Sequence, residues 1–266
     1  MITTYHRPQT LTETLTLLTN LNVRPLGGGT LLSRPQADSV EVVDLQSLGL
    51  DFINKKGNDL ELGATVTLQQ FLESELCPEA LKTAIKLEAP INIRNSATVA
   101  GTLVSCDGRS PFGTALLALD AKLEFKSINK LELANMEVES REPKHDVNII
   151  GIGEFLPMRS DHLKRKLITS IIIPLNTKFT FEFVSRTPAD KPIICAALNQ
   201  WNSGRTRLAL GGYGTSPILA MDGTESEGVE AAAKNAYHEA SDEWASAEYR
   251  MDVSAVLAKR CIESIS

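Results

Sequence analysis

Three glycines in a row followed by a hydroxyl residue, Gly27-Gly28-Gly29-Thr30 in the run RPLGGGTLL (24–32), have the clearest chemical potential in this chain. Glycine has no Cβ, so consecutive backbone N–H groups can converge on an anion and a phosphate can approach the main chain closely. No G-K-[ST] follows, so the run is not a Walker loop, and the G-x-G-x-x-G spacing of a Rossmann fold is absent. Taken alone, the run is compatible with a structural turn and with an anion nest. A second segment of small residues, RNSATVAGTL (94–103), sets hydroxyls at Ser96, Thr98 and Thr102 around Gly101. Two such loops, each beside a strand, would be able to clamp a pyrophosphate from both sides.

Nothing in the chain reads as a catalytic constellation of its own. No Ser/His/Asp arrangement, H-E-x-x-H or paired-carboxylate pattern stands out. The four cysteines, Cys77, Cys106, Cys195 and Cys261, lie far apart without a C-x-x-C pair, which argues for buried free thiols rather than a zinc ribbon or an iron–sulfur cluster. The four histidines, His6, His145, His162 and His238, are equally scattered and suggest no metal site. Any redox chemistry would therefore be carried by a bound cofactor. A net charge of −6 argues against nucleic acid as the main partner. No apolar run approaches the roughly 20 residues of a membrane span. The start, MITTYHRPQTLTETLTLL, lacks the charged region and apolar core of a signal peptide, so the cytoplasm is the expected location.

The elements that must hold these loops follow from periodicity. Leu11, Leu15 and Leu18 recur at helical spacing, with Thr10 and Glu13 as a capping box. VRPLGG and VEVVDL read as short strands on either side of the glycine turn, so the chain opens with a small α/β unit. Residues 59–74 predict a strand, a turn at Gly63 and a helix capped by Thr67 with Gln70 three residues on. A helix opened by Pro78 follows. Residues 89–125 predict a polar turn, a strand-like apolar run, a loop from Cys106 to Gly113, a short helix and a strand. LITSIIIPL (167–175) is a strong strand signal, and FTFEFVSR, IICAALNQW and RTRLALGGYG predict an antiparallel meander. From Glu225 onward the pattern is helical, and Tyr249, Val253, Val256, Leu257 and Cys261 mark one apolar face of the last helix. The predicted boundary lies near residue 175.

These segments resemble, in order, the FAD-binding subunits and domains of the molybdenum hydroxylases, such as the medium subunit of carbon monoxide dehydrogenase and the central part of xanthine dehydrogenase. YHRPQTLTETLTLL looks like the opening strand and helix, and LGGGTLL like the first pyrophosphate loop, usually A-G-G-T-D-L. LELGATVTLQQF resembles I-G-A-x-T-T-L, and IRNSATVAGTL resembles I-R-N-x-A-T-x-G-G-N. LITSIIIP looks like the strand that closes the flavin domain. RLALGGYGTSPILA and SAEYRMDVSAVLAKR resemble two signatures of the C-terminal domain. Each match alone is weak, and the seven in order cover nearly the whole chain.

The resemblance implies an α+β protein: a two-subdomain FAD-binding domain of the vanillyl-alcohol-oxidase type (1–175, subdomains about 1–55 and 56–175). A C-terminal domain (176–266) with a three-stranded antiparallel sheet and a helical bundle would follow. It implies FAD held by Leu26, Gly27, Gly28, Gly29, Thr30 and Leu31 in the first loop and by Ala97, Thr98, Gly101 and Thr102 in the second. Asp107 or Ser110 would replace the usual ribose-binding Asp, where Pro111 stands. Ile168, Arg186 and Asp190 complete the implied site. Leu31 stands for the usual Asp, Ala100 and Thr102 depart from G-G-N, and Glu182 occupies a usual Lys position. The implied partners are an iron–sulfur subunit with 2Fe-2S clusters and a large subunit with the molybdenum cofactor, with NAD, a quinone or oxygen as acceptor. A flavin-free relative that keeps the fold as a scaffold or binding protein is the alternative reading.

Overall fold

A computed structural model describes residues 1–34, 38–128, 144–188 and 190–265. The chain opens with the expected α/β unit. Strands β1 (Ile2–His6) and β2 (Val23–Leu26) each pair in parallel with β3 (Val40–Asp44). Parallel neighbours need a crossover, and α1 (Leu11–Leu17) supplies part of it. Thr10 caps α1 by accepting the Glu13 N–H at 3.2 Å, while the Glu13 carboxylate reaches back to the Gln9 N–H rather than to Thr10. Leu15 and Leu18 pack on Val23, Val43 and Leu45 beneath it.

The second layer is a five-stranded antiparallel sheet. Its strands are β4 (Ile53–Lys56), β5 (Asp59–Gly63), β6 (Lys122–Ser127), β7 (Asp146–Gly151) and β8 (Leu167–Pro174), in the order β4-β5-β8-β6-β7. Between β5 and β6 run α2 (Leu68–Glu73), α3 (Glu79–Glu88), α4 (Ile91–Arg94), α5 (Val99–Ser105) and α6 (Pro111–Ala118). Two single turns, α7 (Ile152–Phe155) and α8 (Arg159–His162), precede β8. The predicted capping box of α2 has both arms: Thr67 Oγ1 accepts from the Gln70 N–H at 3.1 Å, and Gln70 Oε1 accepts from the Thr67 N–H at 2.8 Å.

Two expectations fail in this region. The apolar run after Ala97 is a helix, α5, not a strand. Thr98 takes the N-cap position, where its hydroxyl accepts the Gly101 N–H at 3.1 Å, and only Thr67 and Thr98 at the entry form an isolated bridge. The loop from Cys106 ends earlier than predicted, because Ser110 caps α6 and Pro111 occupies its first turn.

The C-terminal meander is β9 (Thr177–Val184), β10 (Ile194–Trp201) and β11 (Thr206–Gly211), as expected, and a fourth strand, β12 (Ile218–Gly223), extends it in the order β12-β11-β10-β9. β12 has no fully buried residue, which is why its hydrophobic pattern is faint. Helices α9 (Val229–Ala236) and α10 (Ala247–Ile265) cover one face of this sheet, and residues 237–246 between them are irregular rather than helical. The buried stripe of α10 is Arg250, Ser254, Leu257, Ala258 and Cys261. Tyr249 and Val256, expected on that stripe, are 43% and 50% exposed.

The other face of the meander packs on α6, every residue of which is buried. Ala197 and Ala209 keep that face low, and a Cβ on Gly211 would lie 2.2 Å from Thr114 Oγ1 of α6. One apolar cluster therefore runs from the five-stranded sheet through α6 to Phe181, Cys195, Ala197 and Ala209. Among the described residues no helix is long and apolar enough to cross a membrane.

Candidate functional site

The first glycine loop leaves β2 at Leu26, whose carbonyl accepts the Leu45 N–H at 3.1 Å. The chain is then freed from the sheet for four residues. Gly29 has φ of +71°, a conformation that L side chains rarely adopt. Its carbonyl accepts the Ser33 N–H at 2.9 Å, which curls residues 30–33 into a turn. Among the described residues, none accepts a hydrogen bond from the backbone N–H groups of Gly27, Gly28, Gly29 or Thr30. Half-buried donors without acceptors are costly unless water or a ligand satisfies them. Leu31 closes the run with its side chain 45% exposed.

The second loop lies directly against the first. A Cβ on Gly28 would sit 1.5 Å from the Ser96 carbonyl oxygen, and one on Gly27 would sit 3.0 Å from Thr98 Oγ1. So the two segments, separated by some seventy residues of sequence, meet backbone to backbone. Ala97 and Thr98 are buried and fixed by the Leu68 N–H to Ala97 carbonyl bond at 2.9 Å and the Val99 N–H to Val66 carbonyl bond at 2.8 Å. Gly101 is exposed on the first turn of α5, while the Thr102 hydroxyl turns back to donate to the Thr98 carbonyl at 2.8 Å.

The third segment, 106–110, is organised differently. Asp107 is exposed, and its carboxylate accepts the Arg109 N–H at 2.9 Å. Ser110 is fully buried, and its hydroxyl is committed twice: it accepts the Gly113 N–H at 3.0 Å and donates to Glu88 at 2.6 Å. Glu88 also accepts the Phe112 N–H at 3.1 Å and the Lys191 ammonium at 2.8 Å. Burial alone would depress the Lys191 pKa, but the Glu88 charge and hydrogen bond more than offset it, and the net shift is upward. A carboxylate does therefore stand at the start of α6, supplied by Glu88 rather than by position 111. Arg109 lies over the Trp244 ring at 4.1 Å, and Arg186 over the same ring at 4.8 Å. Arg186 is thus brought beside the 106–110 segment. Asp190 is exposed, and its N–H donates to the Thr187 carbonyl. Ile168 is 4% exposed, paired across β8 and β6 with Phe125, and points into the apolar core.

Nothing in this arrangement supplies a nucleophile. Burial pushes the Cys106 thiol up to about 11 and the Cys77, Cys195 and Cys261 thiols up to about 12, so all four are neutral at pH 7. Among the described residues no three His, Cys, Asp or Glu side chains converge on a metal position.

Residues 1–176 match the family described as the FAD binding domain in molybdopterin dehydrogenase. The chain belongs to that family. YgfM of Escherichia coli (strain K12), an uncharacterized protein, is 27% identical over 97% of this chain and 94% of its own length. The carbon monoxide dehydrogenase medium chain of Afipia carboxidovorans is 24% identical over 97% of this chain and 95% of its own. In the solved structure of the Cu,Mo-CO dehydrogenase in its cyanide-inactivated form, one chain superposes with a TM-score of 0.78 at 22% identity, covering all of this chain and 98% of that one.

Glu182, at the usual Lys position, is turned by β9 toward α10, where it neighbours Cys261. The Phe residues on either side of it, Phe181 and Phe183, face α6 instead. Sequence reasoning named the Ser96 hydroxyl but not its carbonyl as the atom that meets Gly28, and it missed Glu88, Lys191 and Arg109 around the 106–110 segment; Glu88 and Lys191, 103 residues apart, carried no local signal.

Proposed function

We propose that this chain is the FAD-binding electron-transfer subunit of a multi-subunit molybdenum hydroxylase of the xanthine, aldehyde or carbon monoxide dehydrogenase kind. It would take electrons from 2Fe-2S clusters on a partner subunit, which draws them from a molybdenum cofactor on a large subunit. The external acceptor would be NAD, a quinone or oxygen, and the location the cytoplasm. Residues 1–175 form the flavin part in this reading, with subdomains 1–55 and 56–175, and residues 176–266 form the C-terminal part.

The observation that carries the reading is the Gly27–Thr30 backbone, four N–H groups without acceptors among the described residues, seated against Ser96 and Thr98. That cradle fits a pyrophosphate, because successive amides without side chains can converge on its oxygens. Bound FAD would supply the electron-transfer chemistry that no side chain of this chain offers. The chain's own part is to hold the pyrophosphate on two backbone segments, with Gly27–Leu31 on one side and Ala97, Thr98 and Gly101 on the other. Arg186 shares the Trp244 ring with Arg109 beyond the far end of α5, Asp107 accepts the Arg109 N–H, and Asp190 precedes Lys191, whose carbonyl accepts from Arg109. Ser110 and Ile168 act from beneath, one by fixing α6 and the other by packing β8.

Titration of the purified, flavin-free chain with FAD tests this. Saturable heat, a rise in Tm and the oxidised-flavin absorbance spectrum retained on desalting are the expected results. A chain that takes up no FAD and shows no thermal shift would instead be the flavin-free scaffold.

A further inference from the structure

Helix α4 is a single turn with no buried residue: Ile91 is 60% exposed and Ile93 39% exposed. Apolar burial, the usual anchor of a surface helix, is therefore not what holds it. Arg94 holds it instead. Its Nη1 donates to the Ala89 carbonyl at 2.8 Å and the Lys86 carbonyl at 3.3 Å, at the end of α3. Its Nε donates to Gln69 Oε1 of α2 at 3.0 Å, and the Gln69 amide is itself oriented by donating to Glu73 at 2.7 Å. One planar guanidinium thus ties α4 to two neighbouring helices in two directions, a geometry a lysine ammonium does not reproduce.

The residues that follow are the second loop. The Ser96 and Ala97 N–H groups both donate to the Ile93 carbonyl, at 3.0 and 2.7 Å, so the Ser96 carbonyl is placed by α4. That carbonyl is the atom Gly28 meets. Resting on the FAD reading above, we propose that Arg94 is a positioning residue of the pyrophosphate clamp. It fixes the Ser96 carbonyl as the stop on which the Gly27–Thr30 backbone rests, and so sets the direction of the unpaired N–H groups. Arg94 itself touches no part of the ligand in this proposal.

The test compares full-length Arg94→Ala, Arg94→Lys and Gln69→Ala with Ser254→Ala. Ser254 is buried and donates to the Ala233 carbonyl at 3.0 Å, so its loss destabilises the chain through α10 without touching either loop. Arg94→Ala should weaken FAD binding about tenfold or more, the size expected for losing charge-assisted bonds, with Arg94→Lys close to it and Gln69→Ala smaller. Ser254→Ala should lower Tm yet leave the FAD Kd within about twofold, which separates positioning from general loss of stability. Hydrogen exchange on the flavin-free protein gives a second readout at amides that are bonded: Arg94→Ala should speed exchange at Ser33, whose N–H donates to the Gly29 carbonyl, as well as at 95–97, but not in β11. An FAD Kd for Arg94→Ala that moves no more than that of Ser254→Ala, or unchanged exchange at Ser33, overturns the proposal. Should the wild type take up no FAD, the FAD reading and the clamp fall together, and the exchange data then decide only whether Arg94 docks one loop on the other.

Discussion

At the scale of single residues, the three glycines are not equivalent. Gly28 is required by contact, because its Cβ would sit 1.5 Å from a backbone oxygen that cannot rotate away. Gly29 is required by conformation, because its φ is +71° while a Cβ there would meet only Leu26 Cδ1 at 3.4 Å. The two demands have different consequences. Gly29→Ala should cost about 1 kcal/mol of stability from the left-handed backbone, with the clamp still assembled. Gly28→Ala must separate the two loops, so it should abolish measurable FAD binding while the β10–β11 ladder stays intact. Parallel calorimetric titrations and thermal melts of the two variants check this. Equal affinity losses would mean that the loop contact is not what matters.

At the scale of elements, much was legible where the signal is local. The Thr67–Gln70 box, the Pro78 helix start and the three strands of the meander follow from residues within a few positions of one another. α5 was not legible, because ATVAGTLV is rich in residues that favour strands, and the choice is made by Thr98 capping and by the bridge to Thr67. The inward stripe of α10 was misread for a related reason. Arg250 is a charged residue, yet it is wholly buried and donates to the Ala240 and Ala245 carbonyls at 2.6 and 2.9 Å and to Asp242 at 2.7 Å. Those acceptors belong to the irregular 237–246 segment, which no periodicity describes. Within the site, glycine composition revealed the two loops but not that Ser96 and Gly28 touch, since that depends on the whole β2–α4 arrangement. Arg250 leads to a stability prediction. Arg250→Met keeps the length but leaves the Ala240 and Ala245 carbonyls without donors and the exposed Asp242 without its partner, and should cost about 1–3 kcal/mol in urea denaturation, as for buried acceptors left unsatisfied. A loss below about 1 kcal/mol would show that the segment finds other partners.

At the scale of the whole molecule, an apolar and an ionic contact are prominent among those that join residues 1–176 to the C-terminal sheet. One joint is apolar, α6 lying between the two sheets. The other is ionic: Asp120, in the turn after α6, pairs with Arg205 at 3.0 Å and with Arg207, and Asp222 of β12 pairs with the same two arginines at 2.8 and 3.3 Å. Arg205 also stacks on Trp201 at 4.7 Å. The Arg205 hydrogen bonds hold the Asp222 carboxyl below its ordinary range, outweighing the opposing effect of partial burial. The sign of the pH effect follows. With the folded pKa below the unfolded one, the unfolded chain takes up the proton first as pH falls. The contribution of Asp222 is therefore complete above about pH 4 and fades below it. The wild type should melt higher than Asp222→Asn at neutral pH, and the gap should close between about pH 4 and pH 2. High salt at neutral pH should narrow it as well, because the network is partly open to solvent. Thermal melts of both proteins across this range decide the matter: a gap that stays constant down to the lowest pH would mean that the Asp222 charge does not steady the two arginines on which Asp120 rests.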